Sequence, residues 1–276
     1  MALAVFTQNL CKTYGGCQVL SDVNLKVPEG EVYGFVGANG AGKTTTIRIL
    51  LGLAAATKGK ASVLGVSRGV LPPSPVEGVA YLPDVPEISP WLGGVDAIVS
   101  LARLDGVPAD VALTRAKDLL ELVGLSNVPG RVGQYSRGMK QRLGIAASLV
   151  SAPKLLILDE PTSALDPLGR ADTLAVIREL AGQATVIFSS HILADVEDVS
   201  TQVGILHKGI LLAQGSLSEI LESQGRSHTQ LRVRIDAEKK DDVLAKIREV
   251  DPYARITRIP MGLEKLYEEL TLKRAK

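Results

Sequence analysis

Lys43 and Thr44 close the run Gly37 to Thr44, GANGAGKT, whose spacing is Gly-x-x-x-x-Gly-Lys-Thr. A cation and a hydroxyl placed behind three glycines suit one task, the holding of a phosphate chain. Gly37, Gly40 and Gly42 let the backbone turn tightly and aim its N–H groups at phosphate oxygens. Lys43 then puts a compact positive charge on the β- and γ-phosphates, and the Thr44 hydroxyl reaches Mg²⁺. The preceding run, Glu31 to Gly37 (EVYGFVG), predicts a buried strand. The following run, Thr45 to Leu51 (TTTIRILL without its first residue), predicts the opening turns of a helix. The positive end of that helix lies where an anion is wanted.

A second pair of chemically capable residues is Asp159 and Glu160, at the end of the apolar run LLILDE. A buried strand delivers both carboxylates to the carboxyl edge of a parallel sheet, where such folds bind ligands. Asp159 suits Mg²⁺, through water, and Glu160 suits a general base facing an attacking water. Upstream, Tyr135 to Arg142 (YSRGMKQR) places Ser136 and Gly138 at the start of another predicted helix, a second anion-accepting helix end.

The remaining elements must position these groups. Residues 3–36 alternate like strands, with turns at Tyr14-Gly15-Gly16 and Pro28-Glu29-Gly30. Strands are predicted at Lys60 to Gly65, Val79 to Leu82, Leu155 to Leu158 and Thr185 to Phe188, and an edge hairpin at Val203 to Leu206 and Ile210 to Ala213. Leu71 to Pro75 reads as a proline-rich turn. Helical periodicity occupies Ala97 to Leu104, Val111 to Val123 (stopped by Gly124) and Gly138 to Val150. After about Gln224 the pattern changes to a strand at Arg232 to Ile235, a helix from about Asp241 to Val250, a strand at Arg255 to Ile259 and a helix from Gly262.

Composition sets bounds. The chain has 276 residues, 46% of them apolar, enough for a substantial core. A net charge of +1 gives no overall case for nucleic-acid binding. Apolar runs such as Ile49 to Ala56 are far shorter than the roughly 18 residues of a membrane span. The N-terminal residues lack the layout of a secretion signal. Cys11 and Cys17 have no metal spacing and read as reduced thiols, and His191, His207 and His228 are scattered.

In order, the phosphate loop through Thr45, the segment Tyr135 to Met139, the strand Leu155 to Glu160 and the run Pro161 to Asp166 (PTSALD) resemble the ATP-binding subunit of ABC transporters over residues 3–222. His191 matches the family's switch histidine, and Tyr14 the aromatic that stacks on adenine, although Tyr14 also fits core packing. The resemblance implies an α/β P-loop NTPase core with a mostly parallel sheet, an antiparallel β subdomain, a helical subdomain at about 86–150 and a small α+β extension at 225–276. It implies ATP bound by Tyr14, Gly37, Asn39, Gly40, Ala41, Gly42, Lys43, Thr44 and Thr45. Ser136 and Gly138 would complete the site of a second ATPase subunit, so that each ATP is clamped between two copies. Glu160, His191 and Lys43 are the implied catalytic residues, and Thr44, Asp84 and Asp159 the implied Mg²⁺ ligands. Asp166 would lie at the dimer interface and couple the two sites, and it also suits the cap of a helix before Pro167, the two roles not excluding each other.

Three positions depart from the family pattern, Met139 among them, where Gln is commonest. Asp84 stands where Gln is usual, and Arg137 where Gly is commonest. Arg137 either adds a cation near the partner's nucleotide or faces solvent. The implied partner is a separate transmembrane permease, and the implied location is the cytoplasmic face of the membrane. The tail, Gly262 to Thr271, resembles export-type members. A soluble ABC ATPase acting on DNA or ribosomes is the alternative. That class carries long coiled-coil insertions or two cassettes in one chain, and neither is present here. A guanine reader of the form Asn-Lys-x-Asp is also missing.

Overall fold

A computed structural model describes residues 2–68, 76–163, 165–220 and 240–250. By contact the chain divides into two compact units, Met1–Arg226 and Ser227–Lys276. In the second unit the described element is one helix, Lys240–Val250, close to the predicted span. The predicted turn at Leu71 to Pro75, the strands at Arg232 to Ile235 and Arg255 to Ile259, and the helix from Gly262 lie outside the described residues.

The first unit is built around a six-stranded sheet. Its strands are β4 (Val32–Val36), β7 (Val79–Leu82), β8 (Leu155–Leu158), β9 (Thr185–Ser190), β10 (Gln202–His207) and β11 (Ile210–Ser216). Their order is β11-β10-β4-β9-β8-β7, parallel throughout except for the β10–β11 hairpin. Every residue of β4, β8 and β9 is buried, as the uninterrupted apolar runs predicted. The edge strand β7 is mostly half-buried rather than buried, because only one side of it is paired.

Side chains alternate across this sheet and separate two cores. Val32, Val36, Leu156, Leu158, Val186 and Phe188 face one, and Tyr33, Phe35, Leu155, Ile157 and Ile187 the other. The first core holds helices α2 (Gly94–Leu104), α3 (Ala109–Leu122), α4 (Arg137–Leu149), α5 (Pro167–Glu179) and α6 (Leu193–Val199). Ala112, Ala116 and Leu120 of α3, four residues apart, form its buried stripe. The second core holds α1 (Lys43–Leu50) and an antiparallel sheet of β1 (Leu3–Tyr14), β2 (Cys17–Val23), β3 (Lys26–Pro28), β5 (Lys58–Val63) and β6 (Val66–Arg68).

The register decides where the chemistry sits. Leu82 pairs with Leu158, Leu158 with Phe188, and Val36 with Ser190. The loops after β7, β8, β9 and β4 therefore leave the same edge side by side.

Tyr33 is fully buried, its phenol pushed far above the usual range by burial. Its hydroxyl has no hydrogen-bond partner among the described residues. Tyr33→Phe is expected to raise stability by about 1 kcal/mol, because an unmatched polar group leaves the interior. A urea midpoint unchanged or lowered would contradict this.

Candidate ATP-hydrolysis site

The phosphate loop connects β4 to α1, which begins at Lys43, two residues earlier than predicted. Gly42 caps α1 at φ 108°, a left-handed value that glycine takes freely, and a Cβ there would come within 2.6 Å of Leu20 Cδ2. At Gly37 a Cβ would collide with the Leu206 carbonyl. Gly40 also has positive φ. Ala41 is buried, whereas Asn39 and Thr44 are exposed and Thr45 is half-exposed. The loop is thus held close on one side and open on the other.

Lys43 is 5% exposed, and its ammonium is bound from several sides. It donates to the carbonyls of Gly37 at 2.5 Å and Ala38 at 3.3 Å, and its Nζ lies 3.0 Å from Glu160 Oε1. Glu160 Oε2 in turn lies 2.7 Å from His191 Nδ1. The structure therefore brings Lys43 from the start of α1, Glu160 from the loop after β8 and His191 from the loop after β9 into one chain of contacts. Glu160 has φ 50°, a conformation rare for a residue with a Cβ.

Asp159 is buried beside it. Ser189 Oγ donates to Asp159 Oδ1 at 2.6 Å and accepts from the Glu160 backbone N–H at 2.9 Å. One hydroxyl thus fixes both acidic residues. The phenol of Tyr81, half-buried on β7, is raised by burial and then by the Asp159 carboxylate, with Asp84 adding to the effect and Arg48 opposing it. Asp159 and Asp84 therefore act on the same neighbourhood.

The signature residues start α4. Ser136 caps it, its hydroxyl accepting from the Met139 N–H at 3.2 Å. Gly138 faces Gly169 of α5 closely, with a Cβ at Gly138 only 3.5 Å from Gly169 Cα. Asp166 caps α5, accepting from the Gly169 N–H at 3.2 Å. Asp84 contacts Arg137 across 3.5 Å, so Arg137 is paired and not simply solvated. Tyr14 is 46% exposed, which removes core packing as its role. Lys12 Nζ lies 4.4 Å from the centroid of its ring and donates to the Ala55 carbonyl at 2.6 Å.

Sequence reasoning did not single out Ser189, Lys12 or Asp195. Asp195 is fully buried on α6 and accepts from Thr162 Oγ1 and Arg170 Nε, each at 2.5 Å. It ties the loop after Glu160 to the helix after His191. Its only sequence signal is an acid four residues beyond His191.

A phosphate cradle, a strand-end acid pair and a histidine on one sheet edge define a nucleotide-hydrolysing machine of the P-loop class. The comparisons with known proteins narrow it. The family pattern described as ABC transporter matches residues 20–163. The chain is 38% identical over 228 residues to an uncharacterized ABC transporter ATP-binding protein, YxlF, of Bacillus subtilis, covering 82% of this chain and 76% of the relative. It is 36% identical to the bacitracin transport ATP-binding protein BcrA of Enterococcus faecalis, covering 84% and 75%. It is 39% identical to the lantibiotic transport ATP-binding protein SrtF of Streptococcus pyogenes, covering 75% and 88%. Among solved structures, cbiO1 of Clostridium perfringens, part of the cbiONQ complex, superposes with a TM-score of 0.71 at 22% identity over 91% of this chain and 97% of that one. An ATP-binding subunit of an ABC transporter gives 0.69 at 27% identity over 89% and 99%. The chain belongs to the ABC transporter family, as its ATP-binding subunit, and it is an ATPase.

Proposed function

We propose that this chain powers a separate membrane permease, in the export direction, by closing and reopening as an ATP-dependent dimer on the cytoplasmic face of the membrane. Residues 1–224 form the ATPase domain in this reading, and 225–276 an appended extension. The observation that carries it is the Lys43–Glu160–His191 constellation at the mouth of the phosphate loop. Among the described residues no helix is long and apolar enough to cross a membrane. Export is supported by the resemblance of the tail and by relatives named for bacitracin and lantibiotic transport.

Each residue has a role. The N–H groups from Gly37 to Thr45 and the Lys43 ammonium hold the phosphates, and Tyr14 takes adenine on its ring. Lys43 must exchange Glu160 for phosphate oxygens, and that exchange frees the Glu160 carboxylate to take a proton from the attacking water. His191 keeps the carboxylate oriented. Ser136 and Gly138, at the N-terminus of α4, complete the partner's site, because a phosphate between two positive helix ends is better held than at either alone.

The donor set suits Mg²⁺. Thr44 offers an exposed hydroxyl and Asp159 a buried carboxylate with one hydrogen bond at Oδ1. Asp84 adds a carboxylate near the same edge. Hard oxygen ligands of this kind are the ones Mg²⁺ takes. Bound there, Mg²⁺ would supply neutralisation of phosphate charge.

Tagged protein isolated from its own cells is expected to bring down a multi-span membrane protein. Recovery of ribosomes or DNA in its place would overturn the transport assignment in favour of the soluble class.

A further inference from the structure

Two of the positions that depart from the family pattern, Asp84 and Arg137, touch each other. Asp84 lies two residues beyond β7, and Arg137 is the first residue of α4, next to the capping Ser136. Their side chains, each about half exposed, meet at Asp84 Oδ1 and Arg137 Nη2, 3.5 Å apart.

Each residue is unfavourable alone. Arg137 sets a cation against the positive end of α4, whose first turn contains no acidic residue. Asp84 sets another carboxylate on the sheet edge that already carries Asp159 and Glu160. Together they offset each other: Asp84 supplies, from another element, the negative charge that the first turn of α4 lacks. The contact is an ion pair and not a hydrogen bond, since Asp84 Oδ1 is shielded from water yet hydrogen-bonds to nothing among the described residues. A half-exposed pair of this kind is worth no more than about 1 kcal/mol, so a stronger partner can displace it.

We propose that Asp84 and Arg137 are a coupled positioning pair, in which Asp84 holds the signature turn while the site is empty and turns to Mg²⁺ when it fills, releasing Arg137 toward the phosphate bound by the partner subunit. The inference rests on the dimeric ATP-clamp reading above. It makes occupancy of one site felt at the signature that serves the other.

The test is a double-mutant cycle of Asp84→Gln and Arg137→Gly in the hydrolysis-deficient Glu160→Gln background. Two readouts are taken: amide exchange at Met139 and Lys140 without nucleotide, and the ATP concentration for half-dimerisation with and without Mg²⁺. In both, the single changes are expected to be non-additive by about two- to five-fold, the scale of an exposed ion pair. The double variant should lie closer to its parent than either single one. Arg137→Lys should retain most of the coupling. Strictly additive effects in nucleotide-free exchange would overturn the pair. If the Glu160→Gln parent does not dimerise with ATP and Mg²⁺, the clamp reading fails instead, and the exchange cycle still decides whether the two residues are coupled.

Discussion

Glu160→Gln is expected to abolish nearly all turnover while leaving ATP binding intact. The amide has almost the same shape as the carboxylate and can still face both Lys43 and His191. It has lost the basicity needed to take a proton from water. Phosphate release should fall by about 10²–10⁴, the usual worth of a general base. ATP affinity should hold or improve, because in the nucleotide-free chain Glu160 Oε1 competes for the Lys43 ammonium at 3.0 Å. A neutral amide competes less. The closed dimer should then accumulate with ATP, visible by sedimentation. Turnover near that of the parent would remove Glu160 as the base.

Lys43→Ala is expected to strike binding itself. The ammonium is buried, hydrogen-bonded to two loop carbonyls and paired with Glu160. Its loss deprives the phosphates of their main cation, and titration calorimetry should show affinity lower by about 10- to 100-fold, the worth of a charged hydrogen bond. The same change leaves Glu160 without its cation. Breaking a fully buried pair costs about 3–5 kcal/mol. The cost here should be smaller, because Glu160 keeps His191 and 15% of its side chain still reaches water. Normal ATP affinity would refute the assignment. Lys43→Arg should recover the charge but not the fit of a compact ammonium.

Much of the fold was readable because buried parallel strands leave uninterrupted apolar runs. Leu155 to Leu158 and Val79 to Leu82 were located to the residue. Of helix α5 only the start was foreseen, as a helix that Asp166 would cap before Pro167, and its extent was not. Its buried side includes Gly169 and Thr173, which carry little apolar signal. Helix α6 is short, and β6 spans three residues, so neither has enough periods to stand out. At the site, the loop residues announced themselves by type and spacing. Their partners did not. That Ser189 would bridge Asp159 and the Glu160 backbone, or that Asp84 would meet Arg137, depends on strand register and on where a helix end lands. Those are tertiary facts with no local pattern.

The separation of the interior by the central sheet has a mechanical consequence. Ile47, Ile49 and Leu50 anchor the phosphate-loop helix on one face, while the signature helix rests on the opposite face. Among the described residues the two faces belong to separate hydrophobic clusters. A tilt of the signature helix is therefore not resisted by the apolar contacts that seat the phosphate-loop helix. The signature helix is seated just as firmly in its own core, by Leu143, Ile145 and Ala146, all fully buried. The polar side chains along the rim, Lys43, Asp159, Glu160, Ser189 and His191, are stitched to one another across the sheet edge, like a clasp between two stiff leaves.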